Sequence, residues 1–194
     1  MKEYRIRLEE VSDYFEVEKM VRRAFWDVYR PGCVEHYLLH DLRKNDSFIK
    51  ELDFIMESNG KIIGQNVFVK AKIACDDGKT KDVLTMGPIC IDNDFKRQGY
   101  GKILLDSTLE EARNLGYKAV LIEGDIAFYG KSGFQFASDY NIRYHGLPKG
   151  ADSSFFLCKE LEEGYLTNIS GVYSTPQCYM IDEEKLKEFD QNFQ

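Results

Sequence analysis

From Leu52 onward the apolar residues change their period from three-and-four to two, and this change constrains the fold more than any other feature of the chain. Residues 52–57 and 62–74 alternate as strands on either side of Asn59-Gly60, a pair that tolerates positive φ and closes hairpins. A second turn at Asp76-Asp77-Gly78 leads into a third strand over 80–91. An antiparallel meander is therefore predicted in the middle of the chain. Before it, residues 4–8 read as a short strand, and Asp13 with Glu16 resembles a capping box. The helix opened there carries Val17, Met20, Val21, Ala24, Phe25 and Val28 on one face and ends at Pro31-Gly32. A second helix starts near Val34, with Leu38 and Leu42 on one side.

After the meander, a loop over 92–98 runs into Gly99-Tyr100-Gly101, and Leu104, Leu105, Thr108, Leu109, Ala112 and Leu115 mark an amphipathic helix stopped by Gly116. Ala119-Val120-Leu121-Ile122 is a continuous apolar run that suits a strand buried on both faces. A short helix at 125–131, strands at 133–137 and Phe155-Phe156-Leu157, and a helix over 182–190 beginning with Asp182-Glu183-Glu184 complete the series. The order β, α, α, β, β, β, α, β, α, β predicts one mixed α/β domain.

Composition narrows the function classes. With 194 residues, 43% hydrophobic and 13% aromatic residues and only 4 Pro, a disordered or collagenous chain is excluded. A net charge of −7 argues against a nucleic-acid partner and is weakly favourable for a cationic substrate. The 5 cysteines are odd in number, form no C-x-x-C and follow no apolar leader, so a reducing, cytoplasmic location is expected. No stretch approaches the ~18 apolar residues of a membrane span. In that setting the sequon Asn168-Ile169-Ser170 is a chance match.

The stretch Met86-Gly87-Pro88-Ile89-Cys90-Ile91-Asp92-Asn93-Asp94-Phe95-Lys96-Arg97-Gln98-Gly99-Tyr100-Gly101-Lys102 empties a strand into a loop of glycines and cations that opens a helix. Glycines let the backbone approach a ligand, and the helix start supplies N–H donors and a favourable dipole, so this is an anion cradle suited to a pyrophosphate. A tight turn without a ligand is the competing reading of Gly-x-Gly alone. It is not a Walker loop, because Ile103 follows Lys102 and position 96 is not glycine; nor a dinucleotide fingerprint, because Leu104 stands at the third glycine.

A second segment, Gly124-Asp125-Ile126-Ala127-Phe128-Tyr129-Gly130-Lys131-Ser132-Gly133-Phe134, follows the next strand. Together the two resemble the GNAT superfamily of acyl-CoA-dependent N-acetyltransferases, in which a Q/R-x-x-G-x-G/A loop after the fourth strand and an F-Y-x-x-x-G-F segment after the fifth recur in this order. The nearer resemblance is to small bacterial predicted N-acetyltransferases with signatures like G-P-L-A-V-x-P-x-Y-Q-R-Q-G-I-G and G-D-P-x-Y-Y-x-x-F-G-F. It spans 4–160 in element order, with its specific motifs confined to 86–102 and 124–134. Lys96 departs from the usual Gln or Arg, supplying charge without a planar fork. Asp125 stands where many members carry Asn.

The resemblance implies a single GNAT-type domain over 1–160, with 161–194 as an extension packed on it. Its mixed sheet would splay between strands four and five, with helices on both faces. It implies acetyl-CoA as cofactor, with Ile89, Cys90 and Ile91 offering strand backbone to the pantetheine arm. Lys96, Arg97, Gln98, Gly99, Tyr100, Gly101 and Lys102 would hold the pyrophosphate, and Asp125 would lie at the cofactor. An acceptor amine would attack the thioester directly in a ternary complex, with Tyr129 protonating the departing thiolate, and a homodimer is compatible with the superfamily. A non-catalytic acyl-CoA sensor and a nucleotide-phosphate binder are the alternatives.

No general base is assigned: Glu57, Asp92 and Glu123 lie near the relevant strand ends, but each reads first as a solvated surface charge. His36 and His40 stand at i and i+4 but lack an H-E-x-x-H frame, and no metal is expected. Cys90 reads as packing rather than a nucleophile, and Phe128, Phe134, Phe136 and Tyr140 as core or pocket wall.

Overall fold

The structure, a computed structural model, describes residues 3–193. Its elements are β1 (Arg5–Leu8), α1 (Tyr14–Phe25), α2 (Glu35–Leu42), β2 (Phe48–Ser58), β3 (Lys61–Cys75), β4 (Thr80–Ile91) and α3 (Tyr100–Asn114). There follow β5 (Ala119–Glu123), α4 (Ile126–Tyr129), β6 (Gln135–Phe136), β7 (Ile142–Tyr144), β8 (Phe156–Glu160), β9 (Gly171–Tyr173) and α5 (Glu183–Asp190). The strand order is β1-β2-β3-β4-β5-β8-β6, with β9 paired to β3 and β7. The sheet is mixed, because β4–β5 and β7–β9 are parallel while β1–β2, β3–β9, β5–β8 and β6–β8 are antiparallel. No helix among the described residues is long and apolar enough to cross a membrane.

The chain divides into two compact units. One comprises residues up to Phe68, Gly87–Thr108 and the segment from Gln177; the other comprises Val69–Met86 and Leu109–Pro176. In the first unit, Asn59 and Gly60 both take positive φ, 51° and 73°, and close the expected β2–β3 hairpin. Neighbouring β3 residues then face opposite ways. Asn66 donates to Thr108 of α3 at 2.8 Å, whereas Val67 and Leu42 of α2 both line the space a Cβ at Gly87 would enter. Helices accordingly cover both faces. Val17, Met20, Val21 and Ala24 of α1, with Leu38, Leu39 and Leu42 of α2, form the buried side of one layer.

In the second unit, β4 and β5 are paired at Leu84↔Val120 and Thr85↔Leu121 only, a short register that fits the expected splay of strands four and five. Ala119, Leu121, Phe156, Cys158, Ala137, Ile142 and Tyr173 share one apolar cluster.

Three local expectations change. The capping box belongs to Glu10 and Asp13, one turn earlier than Asp13 and Glu16, with the Glu10 N–H donating to the Asp13 carboxylate at 2.8 Å. Helix α1 stops at Phe25, short of Val28. Asp27 takes φ 56° and accepts the Gly32 N–H at 2.8 Å, so the chain has already turned into a closed loop. Strands β7 and β9, unseen in the sequence, are three residues each, too short for alternation to register.

The first unit also buries a cluster of charge. Arg43 forks onto Glu9 at 2.9 and 2.7 Å, reaches Glu18 at 2.6 Å, and stacks 4.0 Å over the Tyr14 ring. Its side chain is 3% exposed and that of Glu9 0%. Burial, then hydrogen bonding to the equally buried Asp53, pushes Glu9 well above the carboxylate range, and burial raises Asp53 as well, so the two carboxyl groups hold a proton as a pair. Gln65 donates to Asp53 at 3.3 Å, and His40 adjoins Glu18 at 2.9 Å.

Candidate functional site

The glycine loop lies in the first unit. Asp92 ends β4 and caps a short turn by accepting the Asp94 N–H at 3.1 Å. It is not a solvated charge. Its side chain is 2% exposed and pairs with Arg23 at 2.6 Å and Lys61 at 3.2 Å. Burial opposes its ionisation, but the Asp94 N–H, Arg23 and Lys61 outweigh burial and hold it below the usual carboxylate range. Arg23 comes from α1 and Lys61 from β3, distant partners that local sequence does not reveal.

Lys96, expected on the pyrophosphate, donates to the Ala24 carbonyl at the end of α1 at 2.9 Å. Gln98 donates back to the Asp94 carbonyl at 3.2 Å, and Lys102 pairs with Asp106 one turn on. Arg97 takes φ 62°, is exposed, and forms no ion pair among the described residues. Gly99 takes φ 90° with open space where a Cβ would stand. Tyr100 is buried, its ring edge-on to Tyr4 at 6.0 Å. The Ile103 N–H reaches the Gly99 carbonyl at 3.2 Å, so the N–H groups of Gly101 and Lys102 lie in the first turn of α3, where a helix start offers no carbonyl behind them. Upstream on β4, Ile89 is half-buried and Cys90 and Ile91 are buried. The Cys90 thiol lies 3.7 Å from Met20 Sδ and burial pushes it far up, so this residue offers backbone rather than a nucleophile.

The second motif lies in the other unit, at the end of β5. Asp125 caps α4 by accepting the Ala127 N–H at 2.8 Å, which gives it a local structural task. Tyr129 ends the four-residue helix. A Cβ at Gly124 would stand 2.3 Å from the Tyr129 ring, so the missing side chain is what seats the phenol there. Phe128 and Phe134 meet that ring edge-on at 4.9 and 5.6 Å. Phe134 is buried, Phe128 exposed, and Phe136 and Tyr140 half-buried.

Of the other carboxylates, Glu57 pairs with Arg7 at 2.6 Å. Glu123 accepts the Tyr144 hydroxyl at 2.7 Å and the Thr175 hydroxyl at 3.3 Å. Tyr144 and Thr175 sit in the region 138–180, where the sequence offered no code. His36 and His40 turn to different partners: His36 to Asp190 at 3.0 Å, His40 to Glu18. Burial pushes His36 down to about 4 despite Asp190 beside it, so the ring is neutral at pH 7.

A mixed sheet covered on both faces, with a glycine loop feeding a helix after β4 and a tyrosine seated beyond β5, defines an acyl-group transferase architecture. The chain belongs to the GNAT family of acetyltransferases: the acetyltransferase (GNAT) family model matches residues 17–134. It is 27% identical over 167 residues to the uncharacterized N-acetyltransferase YhbS of Escherichia coli K12, covering 86% of this chain and 93% of that one. The crystal structure of Escherichia coli YhbS with CoA superposes with a TM-score of 0.78 at 26% identity, over 92% of this chain and 93% of that one. A Brucella melitensis GNAT acetyltransferase in complex with acetyl-CoA shares the fold at a TM-score of 0.72 and 19% identity, over 93% and 100% of the two chains.

Proposed function

We propose that this chain transfers an acetyl group from acetyl-CoA to a primary amine by direct attack in a ternary complex. Support comes from the relatives crystallised with CoA and acetyl-CoA and from the fit of the residues present. Open space at Gly99, the first-turn N–H groups of Gly101 and Lys102, and the exposed Arg97 guanidinium, which has no ion pair among the described residues, suit a diphosphate. Lys96 and Gln98 shape the loop through their carbonyl contacts, while Ile89, Cys90 and Ile91 present strand backbone to an extended ligand arm. Asp125 acts by holding the first turn of α4.

The acetyl thioester supplies an electrophilic carbonyl and a thiolate leaving group. A backbone N–H of β4 stabilises the oxyanion, a preorganised contact worth roughly 3–4 kcal/mol. The acceptor ammonium first loses a proton to solvent; the neutral amine then attacks and forms the new C–N bond, and the proton that its nitrogen sheds afterwards passes through solvent and restores the Tyr129 hydroxyl once that hydroxyl has been spent on sulfur. As the C–S bond breaks, Tyr129 gives its hydroxyl proton to sulfur. The observation that carries this reading is the seating of the Tyr129 ring over Gly124, which orders a phenol at the end of β5. The same reading takes 1–160 as the catalytic domain and 161–194 as its extension. In that extension β9 is bonded to β3, and Asp190 pairs with Arg22 at 2.8 Å.

The test is thiol release from acetyl-CoA across an amine panel, with CoA affinity measured in parallel. Tyr129→Phe is expected to lower turnover by about 10² or more with CoA binding intact. Unchanged turnover removes Tyr129 from the chemistry. A wild-type protein that binds CoA and turns over no amine is a binding module instead.

A further inference from the structure

The carboxylate of Glu123 is presented in an unusual way. Its Oε1 accepts the Tyr144 hydroxyl at 2.7 Å, and the Thr175 hydroxyl stands 2.6 Å from Tyr144 Oη and 3.3 Å from Oε1, with a single proton to give to one of the two. One oxygen is thus pinned by neutral donors, and Oε2 takes no hydrogen bond among the described residues. No lysine, arginine or histidine among them pairs with Glu123 either, and the residue is exposed. Tyr144 is itself held: its ring packs against Phe155 at 5.3 Å and Phe156 at 5.2 Å. A carboxylate is therefore fixed in place with no cationic partner among the described residues.

Its placement follows from strand alternation. Glu123 shares a face of β5 with Ala119 and Leu121, which lie in the aromatic cluster of Phe156 and Tyr173. Gly124 points the other way, toward the Tyr129 ring, and still belongs to the strand ladder through its N–H bond to Phe155 at 2.7 Å. The phenol and the carboxylate therefore stand on opposite faces of one strand end.

We propose that Glu123 Oε2, with Oε1 fixed by Tyr144 and Thr175, is the docking point for a second, non-reacting cation on the acceptor, whose carbon chain lies along Tyr144 and Phe155. The acceptor class is then an aliphatic diamine or a longer polycation. A carboxylate paired only with the reacting nitrogen loses its partner when that nitrogen gives up its proton to attack. A second ammonium keeps its charge throughout and holds the chain in register. A net charge of −7 favours the approach of such a molecule. Tyr144 and Thr175 are positioning residues that act through Glu123. This inference rests on the acetyltransferase reading above.

The experiment compares 1,4-diaminobutane with 4-amino-1-butanol, which replaces the second ammonium by a hydroxyl, at saturating acetyl-CoA. Wild type is expected to prefer the diamine in kcat/KM by about tenfold or more, the scale of a charge-assisted contact. Glu123→Gln should collapse that preference to about twofold by raising the diamine KM, leaving kcat and the acetyl-CoA KM unchanged. Tyr144→Phe should fall between, raising the diamine KM alone. A preference that survives Glu123→Gln, or that favours the amino alcohol in wild type, overturns the proposal. Calorimetric titration of the diamine into the CoA-loaded protein gives a reading independent of turnover: weaker binding to Glu123→Gln supports the docking role, and equal or absent binding in both proteins refutes it. Failure of CoA itself to bind would instead strike the acetyltransferase reading.

Discussion

Arg43 and Glu123 are centres of two carboxylate groupings that solve opposite problems. Around Arg43, three acidic side chains are buried, and they are met by a guanidinium fork, a histidine, a glutamine and a proton held by the Glu9–Asp53 pair. Around Glu123, one acidic side chain is exposed, held beside two hydroxyls and without a cationic partner among the described residues. The first grouping is electrostatically closed and joins α1, the end of α2, the segment after β1, and β2. The second is ordered but open. A carboxylate is available to a ligand when its position is held by neutral donors and its charge is not already compensated.

The comparison breaks most severely at Arg43. Arg43→Met should cost about 3–5 kcal/mol in chemical denaturation, because it strands buried carboxylates without their cation. Adding Glu18→Gln and Asp53→Asn should recover part of the loss, whereas an exposed pairing would show neither effect. On the open side, Gly124→Ala forces the Tyr129 ring to move and should cost about 1–3 kcal/mol while lowering turnover. A stable, fully active Gly124→Ala protein would show that the seat of the ring is immaterial.

A pH series sharpens the closed side. Glu9 is held above its ordinary value by burial and Asp53, so the native protein retains a proton that the unfolded chain releases near pH 4.5. Its contribution is full below that pH and declines as pH rises toward the folded value. Unfolding free energies should therefore fall with pH more steeply in wild type than in Glu9→Gln, by about 3–4 kcal/mol between pH 5 and pH 8. Parallel curves would mean that Glu9 is ionised in the native state. The smallest effect is at Asp125, where Ala should cost about 1 kcal/mol and Asn almost nothing, since both Asp and Asn cap helices. If Asn weakens CoA binding as much as Ala does, the charge of Asp125 matters beyond the cap.

Much of the fold is legible in the sequence because its signals are local. The Asn59-Gly60 hairpin, the apolar face of α1, the Gly116 stop of α3 and the continuous run of β5 each depend on backbone preferences within a few residues, and β4 occupies Thr80–Ile91 as its alternation predicts. Strands β7 and β9 carry too few residues to show a period, and their pairing with one another and with β3 is long-range. The site divides in the same way. Gly99, Gly101 and Tyr129 are visible as motif positions, whereas the partners of Lys96 and Asp92 come from α1 and β3.

Sequence alone determined where the backbone turns, where helices begin and which loop collects unpaired N–H groups, since those follow from steric and hydrogen-bonding rules a few residues in range. Tertiary structure alone decided which carboxylates are silenced and which stay available. The charge state and reach of a side chain depend on its burial and on neighbours brought from elsewhere in the chain: Arg23 for Asp92, Arg43 for Glu9, and, among the described residues, Tyr144 and Thr175 for Glu123.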